Sequence, residues 1–137
     1  MKIIMSKHSV SKPTPVVADG MTLGVIGAGV MGQTLIRGLI TSSVISKDQI
    51  WAGDKNSSAC SKAAEALGVP AETDFRHRVP TADLILICVK PVDVASVLAA
   101  IRSAGLRRDT LLISILAGVS TDRIESLLGT DNPVVRA

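Results

Sequence analysis

From residue 21 onward the chain alternates short apolar runs with longer stretches whose apolar positions recur at helical spacing. Thr22 to Ile26 is rich in β-branched residues and closes on glycine, which predicts a first strand. Val30, Met31, Leu35 and Leu39 then predict a helix from Val30 to Ile40. A brief second strand is expected at Ile50 to Gly53. Ser57 to Leu67 is alanine-rich with Gly68 just beyond, a helix with its glycine stop. Val69 to Glu72 reads as a short strand, and polar Asp74 to Val79, ending at Pro80, as a turn or one helical turn. Leu84-Ile85-Leu86-Ile87-Cys88-Val89 is the clearest strand in the chain. Pro91 suits a first helical position, so a helix is expected from there to about Ser103. Thr110 to Ile115 predicts another apolar strand, and Ser120 to Leu128 a helix capped by Ser120 or Thr121. Pro133 to Arg136 begins one more strand.

Short apolar strands separated by helices predict right-handed βαβ units and an α/β fold with a doubly wound parallel sheet. The length, 137 residues, is that of one domain. With 47% hydrophobic and 20% charged residues the chain is globular, and one Trp, one Phe and no Tyr leave the core to aliphatic side chains.

Charge narrows the partners. The net charge is +3, but Lys and Arg are scattered and no aromatic platform accompanies them, which argues against a nucleic-acid partner. A mild attraction for anionic small molecules is what remains. Cys60 and Cys88 lie far apart and form neither a metal-ligand nor a redox spacing, so they read as reduced thiols, with no metal site. Residues 1–20, MKIIMSKHSVSKPTPVVADG, have too short an apolar run for a signal-peptide core. No window approaches the ~18 apolar residues of a spanning helix. The expected organisation is a flexible extension over 1–20 and one domain over 21–137, cytoplasmic and away from the membrane.

The strongest chemistry lies in Gly27-Ala28-Gly29-Val30-Met31-Gly32, a G-x-G-x-x-G that follows a predicted strand and opens a predicted helix. In that context Gly27 permits a tight turn and Gly29 lets a pyrophosphate approach the backbone. Gly32 lets the helix pack closely on the sheet. The N–H groups of Val30 and Met31, with the positive end of the helix dipole, would face the phosphates. The expected fold is therefore a Rossmann-type dinucleotide-binding domain.

That fingerprint expects an acid at the end of strand two, and Asp54 lies there, 22 residues beyond Gly32. An ionised Asp accepts bonds from a ribose 2′-OH and repels a 2′-phosphate, which favours NAD. Lys55 and Asn56 follow at once, and Arg76 and Arg78 could approach from the next loop, so NADP stays open. Cys88-Val89-Lys90-Pro91 sits at the carboxyl end of a central strand, where open α/β sheets bind ligands. Lys90 there could bond the nicotinamide ribose or carboxamide. Ala117-Gly118 follows the next strand at the same rim and would leave space for a nicotinamide ring. His8 and His77 have no partner arranged for acid–base work, and Ser114, Ser120 and Thr121 lack a nearby base.

IGAGVMG after strand one, ICVKP after strand four and SILAGVS after strand five together resemble pyrroline-5-carboxylate reductase, and the closing VVRA is similar to the lead-in to that family's next stretch. The resemblance runs from Thr22 to Ala137. It implies NAD(P)H-dependent reduction of the C=N carbon of 1-pyrroline-5-carboxylate to L-proline. Carried over by position, cofactor contacts fall on Ile26 to Met31, Asp54, Cys88 to Pro91, and Leu116 to Gly118. Two departures stand out. The family often has a small hydroxyl or amide residue where Asp54 stands, and commonly Asn near Phe75. Family members also continue into an all-helical C-terminal domain that makes the dimer, lines most of the substrate site and carries a hydroxyl thought to assist protonation. The expectation is that these 137 residues supply the cofactor-binding half, with the catalytic proton donor unassigned, a homo-oligomer forming only with that second domain, and no turnover alone. Three alternatives share the glycine loop: a 3-hydroxy-acid dehydrogenase, a deazaflavin-dependent NADP reductase, and a non-catalytic NAD(P)-binding module.

Overall fold

Six short strands build one sheet in the computed structural model, which describes residues 18–137; residues 1–17, with His8, lie outside the described residues. The strands are β1 (Leu23–Ile26), β2 (Ile50–Gly53), β3 (Ala71–Glu72), β4 (Leu84–Ile87), β5 (Leu111–Ser114) and β6 (Val134–Arg136). Their spatial order is β3-β2-β1-β4-β5-β6, and every pair is parallel. Leu23 stands opposite both Ile50 and Leu84, and Ile26 opposite both Gly53 and Ile87, so β1 is the centre of the register. From β1 the chain runs outward to β3, crosses back to β4 and runs outward on the other side. Connections therefore diverge at the β1–β4 boundary, as in a Rossmann sheet.

Helices α1 (Val30–Thr41) and α2 (Ser57–Leu67) cover one face, and α3 (Val94–Ser103) and α4 (Thr121–Leu128) the other. Leu23, Val25, Ile50 and Ala52 pack with Ile36 of α1 and Ala63 of α2. Ile85, Ile87 and Leu112 pack with Leu98 and Ile101 of α3 and with Ile124 and Leu128 of α4. Both faces are buried, which is why the strands read as continuous apolar runs instead of alternating ones.

On the α3–α4 side, the stretch over β1 and β2 is filled by the chain's two aromatic residues. Trp51 and Phe75 stack with centroids 6.2 Å apart. They lie over two strand glycines: a Cβ on Gly24 would fall 2.2 Å from the Trp51 ring, and one on Gly53 would fall 2.5 Å from the Phe75 ring. The predicted aliphatic core holds everywhere but here.

Some boundaries differ from the sequence reading. Strand β4 ends at Ile87, two residues before Val89: Cys88 still donates to the Ile26 carbonyl at 2.7 Å, but the chain then turns away toward Pro91. Pro91–Asp93 is a single 3-10 turn, closed by Asp93 N–H on the Lys90 carbonyl, so the helix starts at Val94 instead of Pro91. Pro80 does not end the polar turn; it lies inside a 3-10 segment, Arg76–Thr81, where the Thr81 hydroxyl donates to the Arg78 carbonyl. Ser120 is the cap of α4, accepting from Arg123 N–H at 3.1 Å. Ala18 to Gly20, read as part of the extension, turn back and are held by Gln49, whose amide donates to the carbonyls of Ala18 and Met21. No helix among the described residues is long and apolar enough to cross a membrane.

Asp83, just ahead of β4, ties the entry ends of three neighbouring strands together. It accepts from Thr22 N–H at 2.8 Å and from the Arg107 guanidinium at 2.6 Å. Arg107 first, and then the Thr22 N–H, hold its carboxyl below the ordinary value of 3.8. A depressed carboxyl contributes stability above its unfolded pKa and loses it as pH falls through the folded one. Asp83→Asn is therefore expected to cost about 1 kcal/mol at neutral pH, discounted for partial exposure. The gap to the parent should close below about pH 4. Urea unfolding at the two pH values measures both.

Candidate functional site

The carboxyl ends of β1, β2, β4 and β5 bring four loops to one edge of the sheet. Gly27 opens the first loop with φ +109°, and a Cβ there would lie 2.7 Å from the Cys88 carbonyl group. Its N–H donates to Gly53 O at 2.8 Å. Glycine is thus required twice, for conformation and for the close approach of another backbone. Gly32 is required for a different reason than the sequence implied. A Cβ at that position would fall 1.8 Å from the Gly27 carbonyl oxygen and only 3.8 Å from Val25. It lets α1 start against the loop's own backbone, more than against the sheet.

Gly29 is unlike both. Its φ is −78°, it is exposed, and nothing lies within 4 Å of where a Cβ would stand. Neither its conformation nor the fold's packing demands glycine. A side chain there would stand in open space outside the loop. Gly29 also supplies no cap to α1, and the first turn carries no acid. The N–H groups and the positive end of the helix dipole are left unneutralised, the arrangement that receives phosphates. Val30 and Met31 stand out from this end, 86% and 56% exposed. The donor set and the open cradle both fit a dinucleotide's pyrophosphate.

Asp54 leaves β2 and turns back toward the glycine loop. One carboxylate oxygen accepts from Ala28 N–H at 2.8 Å and the other from Asn56 N–H at 2.9 Å. The acid expected to hold a ribose therefore also braces the loop, and the Ala28 N–H is already engaged. Each oxygen keeps a second acceptor site. Asn56 caps α2, accepting from Ala59 N–H at 3.1 Å.

The cations around Asp54 turn onto carboxylates of the chain. Lys55 reaches across to Asp93 at 2.8 Å, a bond that raises its pKa. Arg76 grips Asp74 with two nitrogens, at 2.8 and 2.9 Å, and holds that carboxyl down to about 2. Arg78 pairs with Glu72, which His77 also approaches at 3.5 Å. Arg76 and Arg78, which the sequence leaves open as partners of a 2′-phosphate, both face carboxylates of the chain.

At the β4 rim Cys88 and Val89 are half-buried while Lys90 and Pro91 are exposed. Burial pushes the Cys88 thiol up to about 12, so it is a protonated, unreactive wall. Lys90 makes no ion pair among the described residues. After β5, Leu116 is buried, whereas Ala117 and Gly118 are exposed, the latter with φ +74°. Every predicted site residue lies at this one edge; Ile26, Ala28 and Leu116 are buried, and the N–H groups of Ala28 and Leu116 are already bonded to Asp54 and to the Ser114 hydroxyl. Phe75 is 9% exposed and packs in the core. The sequence reading missed Asp93, Glu72 and Asp74, because acids in turns carry no local signal of the cations they meet. No cluster of three His, Cys, Asp or Glu suited to a metal ion occurs among the described residues.

Residues 22–118 match the family model described as NADP oxidoreductase coenzyme F420-dependent. The pyrroline-5-carboxylate reductase of Escherichia coli (strain K12) is 34% identical over 115 residues, covering 84% of this chain and 42% of that protein. Among solved structures, a pyrroline-5-carboxylate reductase from Coxiella burnetii superposes with a TM-score of 0.78 at 26% identity. That match covers 86% of this chain and 43% of the other. The Plasmodium falciparum pyrroline carboxylate reductase, solved with NADP bound, gives 0.72 at 24% identity, covering 86% and 42%, a likeness of fold alone. The chain spans less than half the length of the relatives it matches.

Gly32 and Gly29 separate experimentally. Gly32→Ala is expected to destabilise the chain toward the upper end of about 1–3 kcal/mol, since a backbone oxygen must move. Gly29→Ala should stay within about 0.5 kcal/mol of the parent. Chemical denaturation of the two variants compares them; equal losses would mean that Gly29 serves the fold after all.

Proposed function

Because the chain belongs to the family described as NADP oxidoreductase coenzyme F420-dependent, we propose that residues 21–137 form the cofactor-binding half of an oxidoreductase reducing 1-pyrroline-5-carboxylate to L-proline. The observation that carries the cofactor part is Gly29: a glycine the fold does not need, at an uncapped helix start, beside open space. The substrate part rests on the identity to curated reductases and on the placement of Lys90-Pro91 and Ala117-Gly118 at the same rim.

In this reading the N–H groups of Val30 and Met31 bind the pyrophosphate of NADPH or NADH, and Asp54 orients the adenosine ribose through its free acceptor sites. Lys90, with no carboxylate partner among the described residues, bonds the nicotinamide ribose or carboxamide. Ala117 and Gly118, small and exposed, leave room for a flat ring beside the ends of β4 and β5. A reduced nicotinamide, when bound, supplies the hydride for the substrate's C=N carbon. The ring nitrogen needs a proton, and no described side chain at the rim is arranged to give it, which supports a donor from a second, helical domain of the kind the family has. That domain would also line the small-molecule site and make a homo-oligomer. Two unpaired thiols, Cys60 and Cys88, fit a reducing cytoplasm. The family's description favours one second reading, hydride exchange between NADP and a deazaflavin.

Titration of the purified chain with NADPH and NADH, followed by nicotinamide fluorescence, should give saturable binding of at least one. Gly29→Ala, with stability near the parent's, should weaken it about tenfold or more. If a folded chain bound neither, the likeness would be one of fold alone. The 137 residues by themselves are expected to form no proline from 1-pyrroline-5-carboxylate and NADPH; turnover would show that the proton donor lies within them. A protein containing both halves that reduced NADP with a reduced deazaflavin, and left pyrroline carboxylate untouched, would establish the second reading.

A further inference from the structure

Which dinucleotide the site takes is decided by charge at its adenosine end, an inference that rests on the cofactor reading above. The carboxylate of Asp54 is fixed in direction by two backbone N–H groups, at 2.8 and 2.9 Å, and both oxygens keep an acceptor site. A ribose diol can donate to those sites. A 2′-phosphate has no proton to donate near neutral pH and brings roughly two negative charges to the same place.

A site built for that phosphate would hold a cation free to meet it, as an arginine does in NADP-binding sheets. Here the nearby cations are committed. Lys55 is bonded to Asp93 across the end of β1. Arg76 is held by Asp74 through two bonds, and Arg78 by Glu72. With Asp54 included, four carboxylates stand against these three cations, one net negative charge; His77 beside Glu72 and the Cys60 thiol, which donates to the Asp54 carbonyl at 3.3 Å, are further titratable groups there. The start of α2, the other natural seat for an anion, is capped from within by Asn56. Lys90 makes no ion pair among the described residues but follows β4, two strand positions away from β2.

We propose that this chain selects NAD(H) against NADP(H), with Asp54 as the specificity-determining residue and Asp93 keeping Lys55 from the ribose. Binding NADP(H) would place a dianion beside Asp54. Lys55 could meet it only while shared with Asp93, whose negative charge offsets its own. The discrimination is electrostatic and partly exposed, so it weakens as salt is added.

The test is a fluorescence titration of the full chain with NADH and with NADPH, at low and high ionic strength, for the parent, Asp54→Asn and Asp93→Asn. The parent should bind NADH about tenfold more tightly than NADPH at low salt. The ratio should shrink in high salt. Asp54→Asn should move it about tenfold toward NADPH. That variant can also loosen the glycine loop through Ala28, so its fold is checked by circular dichroism. Asp93→Asn, which lies off the loop, provides the second reading by releasing Lys55 and tightening NADPH. A parent that binds NADPH as tightly as NADH, or more tightly, overturns the proposal, as does a ratio indifferent to both substitutions. A folded chain that binds neither overturns the cofactor reading beneath it.

Discussion

The architecture turns on one contact between stretches of backbone that leaves no room for a Cβ. At the end of β1, Gly27 lies against the Cys88 carbonyl, while the first turn of α1 seats Gly32 against the Gly27 carbonyl. This contact joins the loop after β1 to the loop after β4, the two strands from which the chain winds in opposite directions. Because both loops leave the sheet there and diverge, the crevice that open α/β sheets use for ligands lies above it. Moving the contact would shift the start of α1, and with it the uncapped N–H groups that make the edge attractive to phosphates.

The same economy of space appears within the core. Two strand glycines, Gly24 and Gly53, carry the only two aromatic rings, which take the place of a helix on the α3–α4 side of β1 and β2. Phe75 is therefore committed to packing, and the loop around it presents Asp74, Arg76, His77 and Arg78, paired among themselves and with Glu72. The charge character of the edge beside β2 and β3 follows: a surface rich in cations by count, but with most of them paired.

Asp54 joins these two themes. It braces the glycine loop through Ala28 and caps its own turn through Asn56 while keeping acceptor sites outward. In the proposed cofactor reading, a residue with both tasks links the shape of the phosphate cradle to the chemistry of the ribose end. Any change of specificity made there also acts on the loop. Asp93 is a cleaner control point, since it touches Lys55 and not the glycine loop.

The elements were legible in the sequence because their causes are local. The Ser57–Leu67 helix with its Gly68 stop, the Ile50–Gly53 strand and a hydroxyl cap at Ser120 or Thr121, which the structure settles on Ser120, all arise from side-chain period and from backbone preferences within a few residues. The glycine loop was legible for the same reason, as a spacing between a strand and a helix. Where local signals competed, the reading slipped. Val89 is as apolar as Ile87, but the turn toward Pro91 takes it out of β4, and Pro91 opens a 3-10 turn in place of the helix itself. What only the tertiary structure decided is which distant groups meet. Asp54 finds Ala28, Lys55 finds Asp93, Asp83 gathers Thr22 and Arg107, and Trp51 finds Gly24 because the strand order β3-β2-β1-β4 sets them side by side. A carboxylate in a turn looks the same in sequence whether it faces water, a lysine or a backbone N–H. Only its neighbours across the sheet determine its charge environment, and so the role it can play.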